Sequence, residues 1–253
     1  MADHSLFISD LHLSVQRPDI TAAFVRFCAE RAIQANSLYI LGDLSDAWLG
    51  DDDDSDIADV LRTEITKLSD AGVKVFIMVG NRDFLMGQQF ARDCQCEILP
   101  DPSVIDLYGQ SILLMHGDSL CTSDSEYMAF RAQIRNPDMQ QMLLSKSLDE
   151  RRGIAKMLRE KSQSANATKA ADIMDVTPSE VVKALRDHNV DIMIHGHTHR
   201  PAVHSLTIDD EQQAKAKRYV LGDWDSQGWC ITASEDKQST ESTLSLQLES
   251  FDF

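Results

Sequence analysis

Residues 5–12 read Ser5-Leu6-Phe7-Ile8-Ser9-Asp10-Leu11-His12, a short apolar run that ends in an aspartate and a histidine. The same design returns at Ser37-Leu38-Tyr39-Ile40-Leu41-Gly42-Asp43, and again at residues 73–83, where Val73–Val79 leads into Gly80-Asn81-Arg82-Asp83. Short runs of β-branched and large apolar residues predict buried strands. Between them, residues 19–34 and 56–71 carry apolar positions at helical spacing. Strand–helix–strand alternation predicts right-handed βαβ units, a largely parallel sheet and an α/β fold. The polar residues that close each strand then collect along one sheet edge, where such folds keep their sites.

Working outward, residues 103–115 predict a hairpin that turns at Tyr108-Gly109 and runs into His116-Gly117-Asp118. From about 124 to 171 the strand signal stops, and Met, Leu, Lys, Arg and Glu predict a helical cap inserted within a single domain spanning 1–253. Thr177-Pro178-Ser179-Glu180 reads as a capping box that opens another helix. Asp191–His195 reads as a strand, and the remainder as short strands.

The bulk properties limit what this chain can do. At 253 residues, 43% hydrophobic and 26% charged, it is not a disordered polymer. No apolar run approaches bilayer length, and the start MADHSLFISDLHL lacks a basic region followed by an apolar stretch, so a cytoplasmic location is expected. Five scattered cysteines suggest reduced thiols, and Cys94-x-Cys96 is too tight for the usual metal or redox pair. A net charge of −17 weighs against nucleic acid as a partner. It also conflicts with a phosphate substrate unless several aspartates surround divalent cations. The run Asp51-Asp52-Asp53-Asp54 reads as a solvated loop, because adjacent like charges repel.

Five strand-end segments hold metal-ligand side chains: Asp10-x-His12, Gly42-Asp43, Gly80-Asn81-Arg82-Asp83, His116-Gly117-Asp118 and Gly196-His197-Thr198-His199. Each alone is weak, since Asp-x-His also makes turns, but one fold rule delivers all five to the same edge. Carboxylate, imidazole and amide oxygen, without thiolate, suit Mn²⁺, Fe or Zn²⁺. Two ions ~3.5 to 4 Å apart need a bridging carboxylate, and Asp43 is the natural candidate. Glycines beside Asp43, Asn81, His116 and His197 would let backbone approach the ions. His195, His4, His188 and His204 read as structural or surface histidines.

The ordered set D-x-H, GD, GNRD, HGD and GHTH resembles the calcineurin-like metallophosphoesterase family over essentially the whole chain. That resemblance implies a four-layer αββα metallophosphoesterase sandwich with the metals at the sheet edges. It implies one metal held by Asp10, His12, Asp43 and His199, and a second held by Asp43, Asn81, His116 and His197. Asn81, Arg82 and His116 become the catalytic residues, Arg82 forking onto a phosphate, while Asp83 orients a ligand.

Further segments narrow the likeness: Trp48-Leu-Gly-Asp-Asp-Asp, Gly80-Asn-Arg-Asp-Phe-Leu-Met-Gly, Met115–Asp124, Ile173-Met-Asp-Val and Ile194–His204. They resemble the branch of that family that acts on UDP-2,3-diacylglucosamine in lipid A synthesis. The likeness implies two Mn²⁺ ions and a lipid-linked nucleotide sugar whose α-phosphorus is attacked by a metal-activated water. It also implies peripheral contact with the cytoplasmic face of the inner membrane. Substrate contacts are implied for Asn81, Arg82, Asp124, Ser162, Asn166, Lys169 and His197. Met128, Phe130, Ile134, Met139, Met142, Leu143, Leu144, Ile154, Met157 and Leu158 could face two acyl chains, or could simply pack the cap helices together. The rival reading is a soluble-nucleotide phosphodiesterase or dinucleotide polyphosphate hydrolase of the same fold, which needs no apolar cap.

Overall fold

The apolar runs become the central strands of two sheets in a computed structural model, which describes residues 4–166, 173, 175–209, 214–236 and 243–253. The first sheet sets β1 (His4–Ile8), β2 (Ser37–Leu41), β3 (Lys74–Met78) and β4 (Glu97–Leu99) side by side in parallel. The second contains the hairpin β5 (Ser103–Leu107) and β6 (Gln110–Met115), followed by β7 (Ile192–His195), β8 (Ala202–Asp209) and β9 (Ala214–Val220). Its order is β5-β6-β7-β9-β8. The chain then returns to the first sheet, where β10 (Gly228–Asp236) and β11 (Thr243–Phe251) complete the order β11-β10-β1-β2-β3-β4. The C-terminal strands are thus long and antiparallel rather than short, because each pairs along nearly its full length with a hairpin partner.

Alternation along the strands explains why the runs are apolar on both faces. Leu6 and Ile8, Leu38 and Ile40, and Val75 and Ile77 pack outward on α1 (Pro18–Glu30) and α2 (Asp56–Asp70), against Phe24, Phe27, Leu61 and Ile65. Phe7, Tyr39, Leu41 and Met78 point the other way and meet Ile112, Leu114, Ile194 and Tyr219 of the second sheet. Beyond that sheet, Leu113, Met115 and Met193 pack on Val181 and Leu185 of α7 (Pro178–Asp187). Helix, sheet, sheet, helix is the four-layer αββα order.

The cap segment forms α4 (Ser125–Ile134), α5 (Pro137–Leu144) and α6 (Leu148–Asn166). Its capping box sits at Ser147 and Glu150, where Glu150 Oε2 accepts from Ser147 N at 2.9 Å. The box expected at Thr177 does not form: that hydroxyl accepts from Thr122 Oγ1 at 2.8 Å instead of capping α7. A tertiary neighbour outcompetes the local bond.

The acidic run is not the solvated loop that its charge suggests. Asp51 accepts from the backbone N–H groups of Gly87, Gln89 and Phe90, capping α3 (Gln88–Asp93). Asp53 is buried and accepts from Leu49 N and Ser55 N. Asp52 forks onto Arg151 at 2.7 and 2.5 Å, and Asp54 pairs with Arg152. With Arg159 paired to Asp46, three arginines of α6 fasten the cap to the 46–54 loop. Repulsion between the aspartates is overcome because each has its own donor. Arg151, only 4% exposed and also donating to Leu49 O, is the innermost anchor. Arg151→Ala is expected to lower the unfolding free energy in a urea titration by about 1–2 kcal/mol, since Asp52 can rehydrate but the cap loses its buried donor.

Candidate active site

Loops that leave β1, β2, β3, β6 and β7 converge where the C-terminal edges of the two sheets meet. Neighbouring loops continue the strand pairing, with Asp10 N donating to Gly42 O, His12 N to Asp43 O and Gly196 N to His116 O. Bonds between the sheets include His116 Nδ1 to Leu41 O at 2.8 Å, His197 N to Asp10 Oδ2 at 2.8 Å and Trp224 N to Asp10 O at 3.1 Å. All seven sequence-predicted ligands fall into this junction. Five of them, Asp10, His12, Asp43, His197 and His199, hold φ between 48° and 67°. Non-glycine residues adopt that left-handed region at a cost of about 1–3 kcal/mol each, and the cost is tolerated mainly where a site needs the direction it imposes. The adjacent glycines make room for the ligand side chains. A Cβ on Gly80 would overlap the Asp43 carboxylate, and one on Gly196 would overlap Asp10 and Ser9.

The donor atoms form two groups, Asp10–His12–His199 and Asp43–His116–His197. Asp43 faces both: its Oδ2 lies 4.0 Å from His12 Nε2 and its Oδ1 3.8 Å from His116 Nε2. Asn81 Oδ1 joins the second group, 3.1 Å from His116 Nε2. His12 Nε2 and His199 Nε2 approach to 3.2 Å. Hydrogen bonding fixes which nitrogen is left over. His116 Nδ1 must donate to the Leu41 carbonyl, and His199 Nδ1 lies 3.3 Å from the Asp223 carboxylate, so Nε2 of each ring points at the cluster. Asp10 Oδ2 is taken by Ser9 and His197 N, while the buried Oδ1 has no hydrogen-bond donor. An orphaned carboxylate oxygen, converging imidazole nitrogens and an amide oxygen fit a pair of divalent cations.

Burial lowers the His12 imidazole to about 4 and His197 to about 3, which keeps both neutral and able to coordinate. Burial would lower His116 and His199 as well. Asp43, Asp118 and Asp10 outweigh it and hold His116 up to about 9, while Asp10 and Asp223 hold His199 up to about 10. A cation taken by those two rings must displace protons, so binding strengthens as pH rises.

Supporting residues lock the loops together. Asp83 is fully buried and does not pair with Arg82. It accepts from Gly80 N at 2.6 Å and Leu44 N at 2.8 Å, tying the Asn81 loop to the Asp43 loop. Arg82 N donates to Asp43 Oδ1 at 2.8 Å, while its guanidinium reaches Ser162 Oγ at 3.2 Å. Asp118, which lies within the His-Gly-Asp segment, accepts from Tyr127 Oη and Arg131 Nε, both at 2.9 Å, and so joins α4 to the site. Tyr127 in turn lies against His197, with 5.4 Å between ring centroids. The buried His195 is engaged within the protein, Nδ1 donating to Gly196 O and Nε2 accepting from Arg218 at 3.3 Å.

Two cavities of about 480 Å³ each meet here. One lies over the ligand cluster; the other is an apolar cleft under the cap, bordered by Phe130, Leu143, Ile154 and Leu158. Arg82, Asn81, Tyr127, Arg159 and Ser162 border both. Of the ten apolar residues expected in the cap, Met142, Leu144 and Met157 are instead exposed, while Met139 packs on the core. Asp124 borders the first cavity and caps α4 by accepting from Tyr127 N at 3.0 Å. Lys169 and the Asn166 side chain lie outside the described residues.

Asp223 is the site residue that the sequence reading missed. Leu221-Gly222-Asp223 repeats Leu41-Gly42-Asp43 at the end of parallel strand β9, and that repeat is the signal that could have found it. Asp223→Ala is expected to weaken divalent-cation binding by about 10- to 100-fold in a calorimetric titration, with little change in folding.

The calcineurin-like phosphoesterase family model matches residues 4–201. A curated relative from Cellvibrio japonicus, named UDP-2,3-diacylglucosamine hydrolase, is 52% identical over 91% of this chain and 95% of its own. Relatives of the same name from Marinobacter nauticus and Pseudomonas paraeruginosa are 50% and 52% identical, over 92% and 89% of this chain and 94% and 93% of their own. Ligand geometry, family match and near full-length relatives agree: the chain belongs to the calcineurin-like phosphoesterase family.

Proposed function

We propose that this chain hydrolyses the pyrophosphate bond of UDP-2,3-diacylglucosamine to UMP and 2,3-diacylglucosamine 1-phosphate (lipid X), a step of lipid A biosynthesis. The observation that carries the reading is the apolar cleft opening directly onto the ligand cluster, together with the name of the relatives. A diphosphate over the cluster can send its lipid half beneath the cap, where Phe130, Ile154 and Leu158 remove acyl carbons from water. The chain acts as one domain with the cap, about residues 124–171, inserted.

Two divalent cations, Mn²⁺ as activator, would be held by Asp10, His12, Asp43 and His199 on one side and by Asp43, Asn81, His116 and His197 on the other. They would supply a water of lowered pKa for attack at the α-phosphorus and neutralisation of the phosphoryl oxygens. The chain's own groups do the positioning. Arg82, anchored through its backbone on Asp43 and through its side chain on Ser162, presents its remaining N–H groups where the two cavities join. A guanidinium there forks onto phosphate oxygens and binds them more tightly as charge moves to the leaving group. Asn81, Asp124, Ser162 and His197 border the same cavity and serve the head group, with Asn166 and Lys169 as further contacts.

The exposed Met142, Leu144 and Met157 on α5 and α6 support a peripheral seat on the cytoplasmic face of the inner membrane, where the lipid substrate resides. No helix among the described residues is long and apolar enough to cross a membrane.

Purified protein incubated with UDP-2,3-diacylglucosamine and Mn²⁺ is expected to release UMP and lipid X, detected by mass spectrometry, and to stop when EDTA is added. Absence of turnover, with rapid metal-dependent cleavage of a soluble dinucleotide, would replace this substrate by the rival one. Leu158→Asp separates the two readings again. It is expected to raise KM for the lipid substrate about tenfold or more, because a buried charge faces the acyl chains, whereas hydrolysis of a soluble nucleotide would be spared.

A further inference from the structure

The cavity over the ligand cluster has two limbs. One is the junction with the apolar cleft, marked by Arg82, Arg159 and Ser162. The other runs to Arg17, Ile20, Thr198, Arg200, Trp224 and Asp225, none of which borders the cleft. At the mouth of this second limb, Arg17 bridges the start of α1 to the loop after β9. Its Nη1 donates to Asp225 Oδ1 at 2.6 Å and its Nη2 to the Asp225 carbonyl. Nε and Nη2 also donate to the Asp19 carboxylate at 3.0 and 2.8 Å. Four of the five guanidinium N–H groups are therefore committed to holding the first turn of α1 against the loop after β9, which leaves Arg17 a clamp more than a phosphate ligand. The clamp takes one oxygen of Asp225, whose side chain is 73% exposed and borders the cavity. Beneath it, the nearly inaccessible Ile20 and Trp224 form an apolar floor.

Two substituents on a pyrophosphate diverge from its bridging oxygen. With the diphosphate over the ligand cluster and the lipid half in the apolar cleft, the nucleoside half is left the limb whose lining the cleft does not share. We infer that this limb is the subsite for the nucleoside 5′-monophosphate half of the substrate, in which Asp225, held in place by Arg17, accepts hydrogen bonds from the ribose hydroxyls. The inference rests on the proposed pyrophosphohydrolase reading and adds to it the residues that distinguish a nucleotide from a bare phosphate. With Oδ1 held by Arg17, Asp225 still has Oδ2 and a second lone pair on Oδ1 to accept from a vicinal diol, and it brings no donor of its own. A clamp that fixes it beforehand reduces the ordering that binding requires.

The test is a calorimetric titration of the Mn²⁺-loaded protein with UMP, 2′,3′-dideoxyuridine monophosphate and methyl phosphate, which needs no turnover. The parent protein is expected to bind UMP at least about tenfold more tightly than the dideoxy compound or methyl phosphate, a difference of about 1.4 kcal/mol. In Asp225→Ala the preference for UMP over the dideoxy compound is expected to vanish, while methyl phosphate keeps its affinity within about twofold. Arg17→Ala, which frees the clamp but keeps the carboxylate, is expected to give an intermediate preference. A parent that binds UMP no better than methyl phosphate overturns the inference, as does an Asp225→Ala variant that keeps the full preference for the ribose hydroxyls. Equal losses for all three ligands would mean general damage to the site and would also overturn it. Turnover of UDP-2,3-diacylglucosamine by the parent, measured separately, shows whether the substrate reading stands or falls apart from the subsite.

Discussion

Asp10 and Asp43 are carboxylates with at most 2% exposure, set where two sheets meet edge to edge. A buried anion is expensive unless donors or cations surround it, and most of the architecture around the junction answers that demand. Ser9 and the His197 amide satisfy one oxygen of Asp10, and the Arg82 amide one oxygen of Asp43. Of the oxygens that remain, Asp10 Oδ1 faces His199 Nε2, whose ring is held at Nδ1 by Asp223, and Asp43 Oδ2 faces His12 Nε2. The left-handed backbone of five ligand residues, and the glycines that admit the Asp10 and Asp43 side chains, are local costs of placing those atoms. A divalent cation pair is the chemical species that completes such a set, which is why one arrangement serves both stability and phosphoester chemistry.

A net charge of −17 and an anionic substrate are reconciled by where the charge sits. Aspartates at the junction turn their oxygens toward the two candidate metal sites. Asp51 and Asp53 cap or brace backbone, while Asp46, Asp52 and Asp54 hold arginines of α6. The cap is thereby attached to the core by opposite charges, and between the attachment points it encloses an apolar cleft. Ion pairs at the rim and apolar side chains inside suit a substrate that is charged at one end and greasy at the other.

The cap and the candidate metal ligands are coupled through the supporting residues. Asp118 receives Tyr127 and Arg131 from α4, and Tyr127 lies on the ring of His197. Ser162 of α6 holds Arg82, whose backbone holds Asp43. Two of the three cap helices, α4 and α6, therefore contact residues beside the candidate ligands, so the position of the cap and the geometry of the site are set together.

The amino-acid sequence by itself determined the alternating apolar runs, hence strands and layers, and the polar residue types that close each run. Periodicity and strand-end position are local properties, so the five polar segments are legible in the sequence, and the resemblance to the calcineurin-like family singles out Asp10, His12, Asp43, Asn81, His116, His197 and His199 among them. Tertiary structure alone decided the rest. The four adjacent aspartates look mutually repulsive in one dimension, but the start of α3 meets Asp51, Arg151 meets Asp52 and Arg152 meets Asp54, while Asp53 turns back onto the backbone of its own loop. Thr177 looks like a helix cap until Thr122 takes its hydroxyl. Asp223 repeats a Gly-Asp strand end, yet its meaning depends on β9 lying beside β7 in the second sheet, a pairing between distant residues. Residues that act through a neighbour far along the chain carry no local signature, because hydrogen bonds and ion pairs depend on distance in space and not on separation in sequence.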